Sequence, residues 1–494
     1  MAVAFSSSAE EVLQRGIQPP SSNRLALKSL RDEQLKQSFE IKRCADWITT
    51  RSLRRVALQF PDEQLPCAVR VTHALAQLVP DVKLYVVGDT SFGSCCVDEV
   101  AAEHAACDGI IHFGHTCLSP PSRLKALLIM GDRSTDWTPL ATQVVKITNS
   151  TSPPTDAAAA TAKDEFLVVV DTEYCSQIDK IRAQLPSNAI IGVPILPTGT
   201  DADDSTKCKG QHALRRVFPT ERPLTEFSTI LWIGSESQAF VNFLLRFNSA
   251  AIWAYDPESA TLQRQGLTTS RSLMRRYYLV EKARDARIIG ILVGTLGVRN
   301  YLQAIGHLKQ LIRKAGRKSY TLAVGKLNAA KLANFQEIDI YVYVACPENS
   351  FFDSKEFYRP VVTPYELEVA LNPSRQWGSD YFTDFNDILP GGPAYVTLPP
   401  DLDKTTSYDV SLISGRLRTL GNESCVAGDD EVRHKKQGLD ENQLIERDPA
   451  GTVAIAPQVR AGEIATMYLL CRGILYFRWS PRHFLVGCLT FTLP

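Results

Sequence analysis

From residue 54 onward, apolar runs of strand length alternate with stretches of helical period. RRVALQF (54–60) reads as a buried strand, and LPCAVRVTHALAQL (65–78) as a helix with Pro66 in its first turn, where a missing N–H costs nothing. KLYVVGD (83–89) is a second strand, VDEVAAEHAA (97–106) a helix and GIIHFGH (109–115) a third strand. Strands and helices alternating at these lengths predict βαβ units, hence parallel strands joined by right-handed crossovers.

Two further blocks follow. FLVVVD (166–171), IIGVPI (190–195), TILWIG (229–234) and AAIWAY (250–255) are the strands of the second, with a polar loop over 198–211. RIIGILVG (287–294) opens the third. Its helix near 300–315 is expected to bury Leu302, Ile305, Leu308, Leu311 and Ile312 on one face, with Gly316 as its stop. SYTLAVG (319–325), a helix and IDIYVYVA (338–345) complete the same element order as the first block. The chain therefore divides into an N-terminal extension (1–50), an α/β module (51–150), a Ser/Thr/Pro/Ala-rich linker (151–165), a second module (166–283), a third (284–420) and a polar tail (421–494).

Composition narrows the class of function. The 494 residues exceed what one core organises, 44% are apolar, and 54 Lys and Arg balance 54 Asp and Glu. A net charge of zero gives no electrostatic reason to expect nucleic acid or an anionic membrane as partner. The N-terminus lacks the pattern of a signal or transit peptide, and arginines interrupt the apolar stretch 463–494, so a cytoplasmic protein with no membrane span is expected. Several common catalytic signatures are absent: G-x-G-x-x-G around GTLG (294–297), a complete Walker loop around VGK (324–326), G-x-S-x-G and H-E-x-x-H.

The informative residues are cysteines. In a reducing compartment most of the twelve should be buried small apolar residues, as read for Cys44, Cys67 and Cys107, with Cys425, Cys471 and Cys488 in core or tail. Others sit directly after strands: Cys95 and Cys96 in GDTSFGSCCVDE (88–99), Cys117 in GHTC (114–117) and Cys346 in ACPENS (345–350). In parallel sheets ligands gather beyond the carboxyl ends of the strands, so Cys117 and either Cys95 or Cys96 should emerge on one sheet edge. Cys346 holds the equivalent place in the third block, and the thiols meet if the modules share an axis. Three such thiolates suit an iron–sulfur cluster better than structural zinc, which prefers four ligands on paired C-x-x-C knuckles. Simple burial is the competing reading, and spacing alone leaves it open. His112 and His115 flank the third strand, either packed there or bonded to the ligands. Asp98 and Glu99 read as the start of a helix.

GDTSFGSCCVDEVAAEH with IIHFGHTCLSPPSRL, VACPENSFFDSKEFYRPVVTPYELEVAL (344–371), W-x-x-x-Y-x-T-D-F (377–385) and LISGRLR (412–418) closely resemble the diphthamide biosynthesis protein 2 family of eukaryotes, over about 50–420. The resemblance implies three similar α/β modules with parallel sheets in a pseudo-three-fold arrangement, and a 4Fe-4S cluster at the centre. In the archaeal relatives and the partner subunit each domain supplies one ligand. Here the middle domain departs: neither Cys175 nor Cys208 stands at its ligand position near RRVFP (215–219). Carried over, the ligand set is Cys96, Cys117 and Cys346, with Cys117 replacing the missing middle cysteine. Cys95, which aligns with the archaeal GAC cysteine, is the alternative to Cys96. The family reaction transfers a 3-amino-3-carboxypropyl group from S-adenosylmethionine to a histidine of elongation factor 2. The resemblance implies an accessory subunit that heterodimerises with a diphthamide biosynthesis protein 1-type catalytic subunit and helps keep its cluster reduced, with a small electron-donor protein. A chain that catalyses the transfer itself, and a metal-free or zinc-stabilised scaffold, are the alternatives.

Overall fold

The computed structural model describes residues 31–420, except 89–92, 132–134, 151–164, 197–209, 326, 351–356, 379, 400–406, 414 and 416. Three sheets carry the architecture. In the first, β1 (Arg55–Gln59), β2 (Lys83–Val87), β3 (Gly109–Phe113) and β4 (Lys125–Ile129) lie in the order β2-β1-β3-β4, every pair parallel. The second holds β5 (Phe166–Val170), β6 (Ala189–Pro194), β7 (Gln211–Ala213), β8 (Arg216–Phe218), β9 (Thr229–Ile233), β10 (Ala251–Asp256) and β11 (Thr261–Arg264), in the order β11-β10-β9-β5-β6-β8-β7. The third holds β12 (Ile288–Val293), β13 (Lys318–Ala323), β14 (Ile340–Val344) and β15 (Val361–Val362), in the order β13-β12-β14-β15, again all parallel.

The three sheets share one parallel core, in which the second strand pairs the first, the first pairs the third and the third pairs the fourth. In the middle sheet that core is β6-β5-β9-β10, widened by antiparallel β11 at one edge and the β7–β8 hairpin at the other. The central strands read as continuous apolar runs because both faces are covered. FLVVV, TILWI and IYVYV are buried at every position.

The described part of the segment before residue 51, residues 31–50, packs onto the first module. Helices Asp32–Ser38 and Ile41–Thr50 bury Leu35, Ile41, Cys44, Ala45 and Ile48 against Val56, Leu58, Ile111 and Phe113. Leu35, Ile41 and Ile48 each contribute about 1.5–3 kcal/mol on burial. The helix read over 65–78 opens with a 3-10 turn at Leu65–Cys67, which takes up Pro66, and continues as Ala68–Ala76.

Helix Tyr301–Lys314 buries Ile305, Leu308, Leu311 and Ile312 as expected, and Gly316 stops it at φ +67°. Leu302 is instead 54% exposed. At 3.6 residues per turn it falls about 110° from the mean direction of the other four, outside their stripe.

Several elements were not foreseen from the pattern: β4, β11 and helices Thr138–Ser150, Gly266–Asp285 and Pro364–Leu371. The last is buried along its whole length, two glutamates included. Glu366 pairs with Arg276 and accepts from Tyr381 Oη at 2.8 Å, while Glu368 lies 2.9 Å from Arg375 and 3.4 Å from His307. The core of the expected linker, most of the loop over 198–211 and the tail 421–494 lie outside the described residues. Among the described residues, no helix is long and apolar enough to cross a membrane.

Candidate metal centre

Four cysteines meet where three strands end. Cys95 and Cys96 follow β2, Cys117 follows β3 and Cys346 follows β14. Their sulfurs all lie within 4.8 Å of one another. Cys346 Sγ is 3.6 Å from Cys95 Sγ, Cys95 Sγ is 4.0 Å from Cys96 Sγ, and Cys96 Sγ is 3.6 Å from Cys117 Sγ. Cys346 is 1% exposed and the others 6–8%, so bulk water is kept off the sulfurs. The choice between Cys95 and Cys96 thus does not arise as a choice of position, since both reach the group.

Side chains from the sheet hold the loops that carry these thiols. Gln59, at the end of β1, donates to the Cys96 carbonyl at 2.8 Å and accepts from the Asp98 N–H at 2.9 Å. His112 Nε2 donates to the Ser94 carbonyl at 2.9 Å, so it is a packed strand histidine; burial lowers its pKa. The Cys117 N–H donates to the Cys95 carbonyl at 3.1 Å, joining the two loops of the first module. Asp98 caps its helix by accepting from Ala101 N. Glu99 does more than start that helix. Its carboxylate accepts from the N–H groups of Ser122, Arg123 and Leu124 and fixes the return from Cys117 to β4.

Burial and mutual hydrogen bonding make the four thiols one acid–base unit. Bonds from Cys346, Cys95 and Cys96 hold Cys117 well below the ordinary thiol range, and Cys117 in turn pushes the other three up. Thiolate is the ligating form, so a metal entering here displaces protons from the group. Asn349 supplies two donors to sulfur: its N–H to Cys346 Sγ and its Nδ2 to Cys95 Sγ, both at 3.4 Å. Donors of this kind tune thiolate ligands.

Beside Cys95 opens a cavity of about 240 Å³ to which all three modules contribute. His115 spans it. Its Nε2 is 2.6 Å from Glu348 and its Nδ1 is 2.8 Å from Thr172 Oγ1 and 3.7 Å from Asp171. Burial works against the imidazolium, but Glu348, backed by Asp171, outweighs it and raises His115 to about 9. Burial raises Glu348 as well, so the pair holds its shared proton firmly.

The remaining cysteines behave as read from the sequence where they are described. Cys44, Cys67 and Cys107 are core residues. Cys175 stays out of the group, bonded to the Asp171 carbonyl at 3.4 Å, and burial raises its thiol to about 11. Cys208, Cys425, Cys471 and Cys488 lie outside the described residues. At the place where a middle-domain cysteine was sought stands Arg215, paired with Asp384 of the third module. The sequence offered Cys95 and Cys96 as alternatives and did not single out Asn349, Glu348 or Asp171; the structure places both cysteine sulfurs in the group, and the doubled cysteine was the available signal for that.

The family model for putative diphthamide synthesis protein matches residues 60–382. Curated relatives named 2-(3-amino-3-carboxypropyl)histidine synthase subunit 2 are 38% identical in Danio rerio, over 92% of this chain and 89% of the relative, and 41% identical in Gallus gallus, over 85% and 84%. The Schizosaccharomyces pombe relative of that name is 39% identical over 72% and 69%. Among solved structures, Dph2 from Pyrococcus horikoshii superimposes with a TM-score of 0.52 at 19% identity, covering 74% of this chain and 97% of that one. A second structure of that protein contains a 4Fe-4S cluster. The chain therefore belongs to the diphthamide synthesis protein family, alongside the proteins named 2-(3-amino-3-carboxypropyl)histidine synthase subunit 2.

Proposed function

We propose that this chain is the iron–sulfur subunit of a heterodimeric synthase that transfers a 3-amino-3-carboxypropyl group from S-adenosylmethionine to a histidine of elongation factor 2. Four buried thiols within 4.8 Å of one another carry the reading. The donor set fits: soft thiolates select zinc or iron–sulfur, and N–H donors from Asn349 face two of the sulfurs. A 4Fe-4S cluster there supplies single electrons. Cys96, Cys117 and Cys346 would hold it, the first two gathered by Gln59 and Glu99, while the packing around them excludes water.

The three modules would stand about a pseudo-three-fold axis with the cluster at its centre. A diphthamide biosynthesis protein 1-type subunit would be the catalytic partner, a small electron-donor protein the source of reducing equivalents, and the cytoplasm the setting. In this reading the chain supports reduction of its partner's cluster rather than performing the transfer.

One observation favours a second reading. Four thiolates on a single zinc at about 2.3 Å would stand about 3.8 Å apart, close to the separations of 3.6–4.0 Å above. The same experiment separates the two: anaerobic co-expression with the partner, followed by iron, sulfide and zinc analysis and electron paramagnetic resonance. The expected result is iron and sulfide in this subunit, with one cluster's share and signal lost in each of Cys96→Ala, Cys117→Ala and Cys346→Ala. Iron unchanged by all three variants, or zinc in place of iron, would make this subunit a scaffold.

A further inference from the structure

We infer that Cys95 is a fourth thiolate ligand, so that the cluster in this subunit is closed by protein sulfur and has no iron open to S-adenosylmethionine. The inference rests on the iron–sulfur reading above. Three thiolates leave one iron of a four-iron cluster without a protein ligand, and that position can take a substrate. Here a fourth sulfur lies inside the group. Cys95 Sγ is 3.6 Å from Cys346 and 4.0 Å from Cys96, as tightly placed as any other member. When it ligates, Cys95 gives its proton to solvent and its sulfur forms the Fe–S bond that a water or substrate atom would otherwise make.

Two features aim Cys95 inward. Asn349 Nδ2 donates to its sulfur while the same residue's N–H donates to Cys346 Sγ, so one residue ties the thiols of two modules. Gly93 makes the approach possible: a Cβ built there would lie 1.6 Å from Asn349 Nδ2, and any side chain would drive the amide away. The Cys117 N–H on the Cys95 carbonyl fixes the backbone from the other side.

The adjoining cavity agrees. Of the four clustered cysteines, Cys95 lines it. Its remaining walls set three carboxylates, Asp171, Glu173 and Glu348, against one imidazole, His115, which is already bonded to Glu348. Those walls hold no guanidinium or ammonium group for an amino-acid carboxylate such as that of S-adenosylmethionine, and the one cation they offer, the His115 imidazolium, is already paired with Glu348. A closed, water-excluded cluster can pass electrons but cannot bind and cleave the sulfonium.

The test uses the full chain, loaded anaerobically with iron and sulfide. Wild type should hold four irons per chain, keep them under mild ferricyanide oxidation, and show a reduced paramagnetic resonance spectrum unmoved by S-adenosylmethionine. Cys95→Ala should keep its cluster but lose one iron on the same oxidation, giving a three-iron signal, and its reduced spectrum should shift when 2-mercaptoethanol is added. Cys95→Ser, which leaves an oxygen ligand, should restore resistance to oxidation and guards against a folding defect. A wild-type spectrum that shifts with S-adenosylmethionine, wild-type conversion to the three-iron form, or Cys95→Ala behaving as wild type would each overturn the fourth ligand while leaving the iron–sulfur reading intact. A wild-type chain without iron and sulfide would overturn that reading, and this inference with it.

Discussion

The middle module and the two outer modules share the same parallel strand order, yet they equip their strand ends differently. The outer two end strands in thiols that meet. The middle one contributes Asp171, Thr172 and Glu173 after β5, and Arg215 beside β8, where a thiol was sought. Its Cys175 turns back to its own loop carbonyls. The same scaffold thus presents ligands in two modules and charges in the third. Strand order decides where loops gather, and loop residues decide what the gathering does.

The comparison breaks most directly at the cysteines. Cys117→Ala should remove essentially all bound metal, while Cys175→Ala should leave metal content unchanged, both read by elemental analysis of anaerobically purified protein. Metal loss on Cys175→Ala would mean that the middle module contributes a ligand after all.

The charged seams between modules give the next effects. Arg276 lies on the helix leaving the middle module and Glu366 in the third, both buried. Glu366→Ala removes the carboxylate that neutralises this buried guanidinium, and a loss of about 3–5 kcal/mol is expected in denaturant unfolding. A loss below about 1 kcal/mol would show that this seam is not structural. His115→Gln removes the group joining the loop after β3 to Asp171 and Glu348; about 1.5–3 kcal/mol should be lost, with metal content retained.

The smallest effect depends on pH. Burial, then the neighbouring Asp384 carboxylate, raises Asp387 to about 6 from its ordinary 3.8. The fold disfavours the ionised form, so the contribution of this group is fullest below its unfolded pKa and is lost as pH rises through about 6. Asp387→Asn should therefore raise the free energy of unfolding near pH 8, by about 1–2 kcal/mol after allowance for partial exposure, and give nothing below about pH 4. Equal gains at both pH values would remove the carboxylate from the explanation.

Much of the fold could be read from periodicity, and the reasons are local. RRVALQF, FLVVVD and IDIYVYVA are strand-length apolar runs whose burial on both faces follows from a parallel sheet. β4 was missed although KALLI has the same character, because it follows a loop of prolines and serines without a preceding helix. Pro364–Leu371 was missed because a helix buried all round has no polar face to betray its period.

The sequence by itself determined the three-block α/β organisation, the family, and the strand ends at which Cys95, Cys96, Cys117 and Cys346 emerge, because these depend on local pattern and on contiguous motifs. Only the tertiary structure decided that the sulfurs of Cys95 and Cys96 both stand in one group with those of Cys117 and Cys346, that Asn349 reaches two sulfurs from different modules, and that Arg215 and Asp171 face the outer modules. Such choices depend on the packing of residues as far apart as Cys95 and Cys346, 251 positions along the chain, and no local propensity encodes a distance across a module interface.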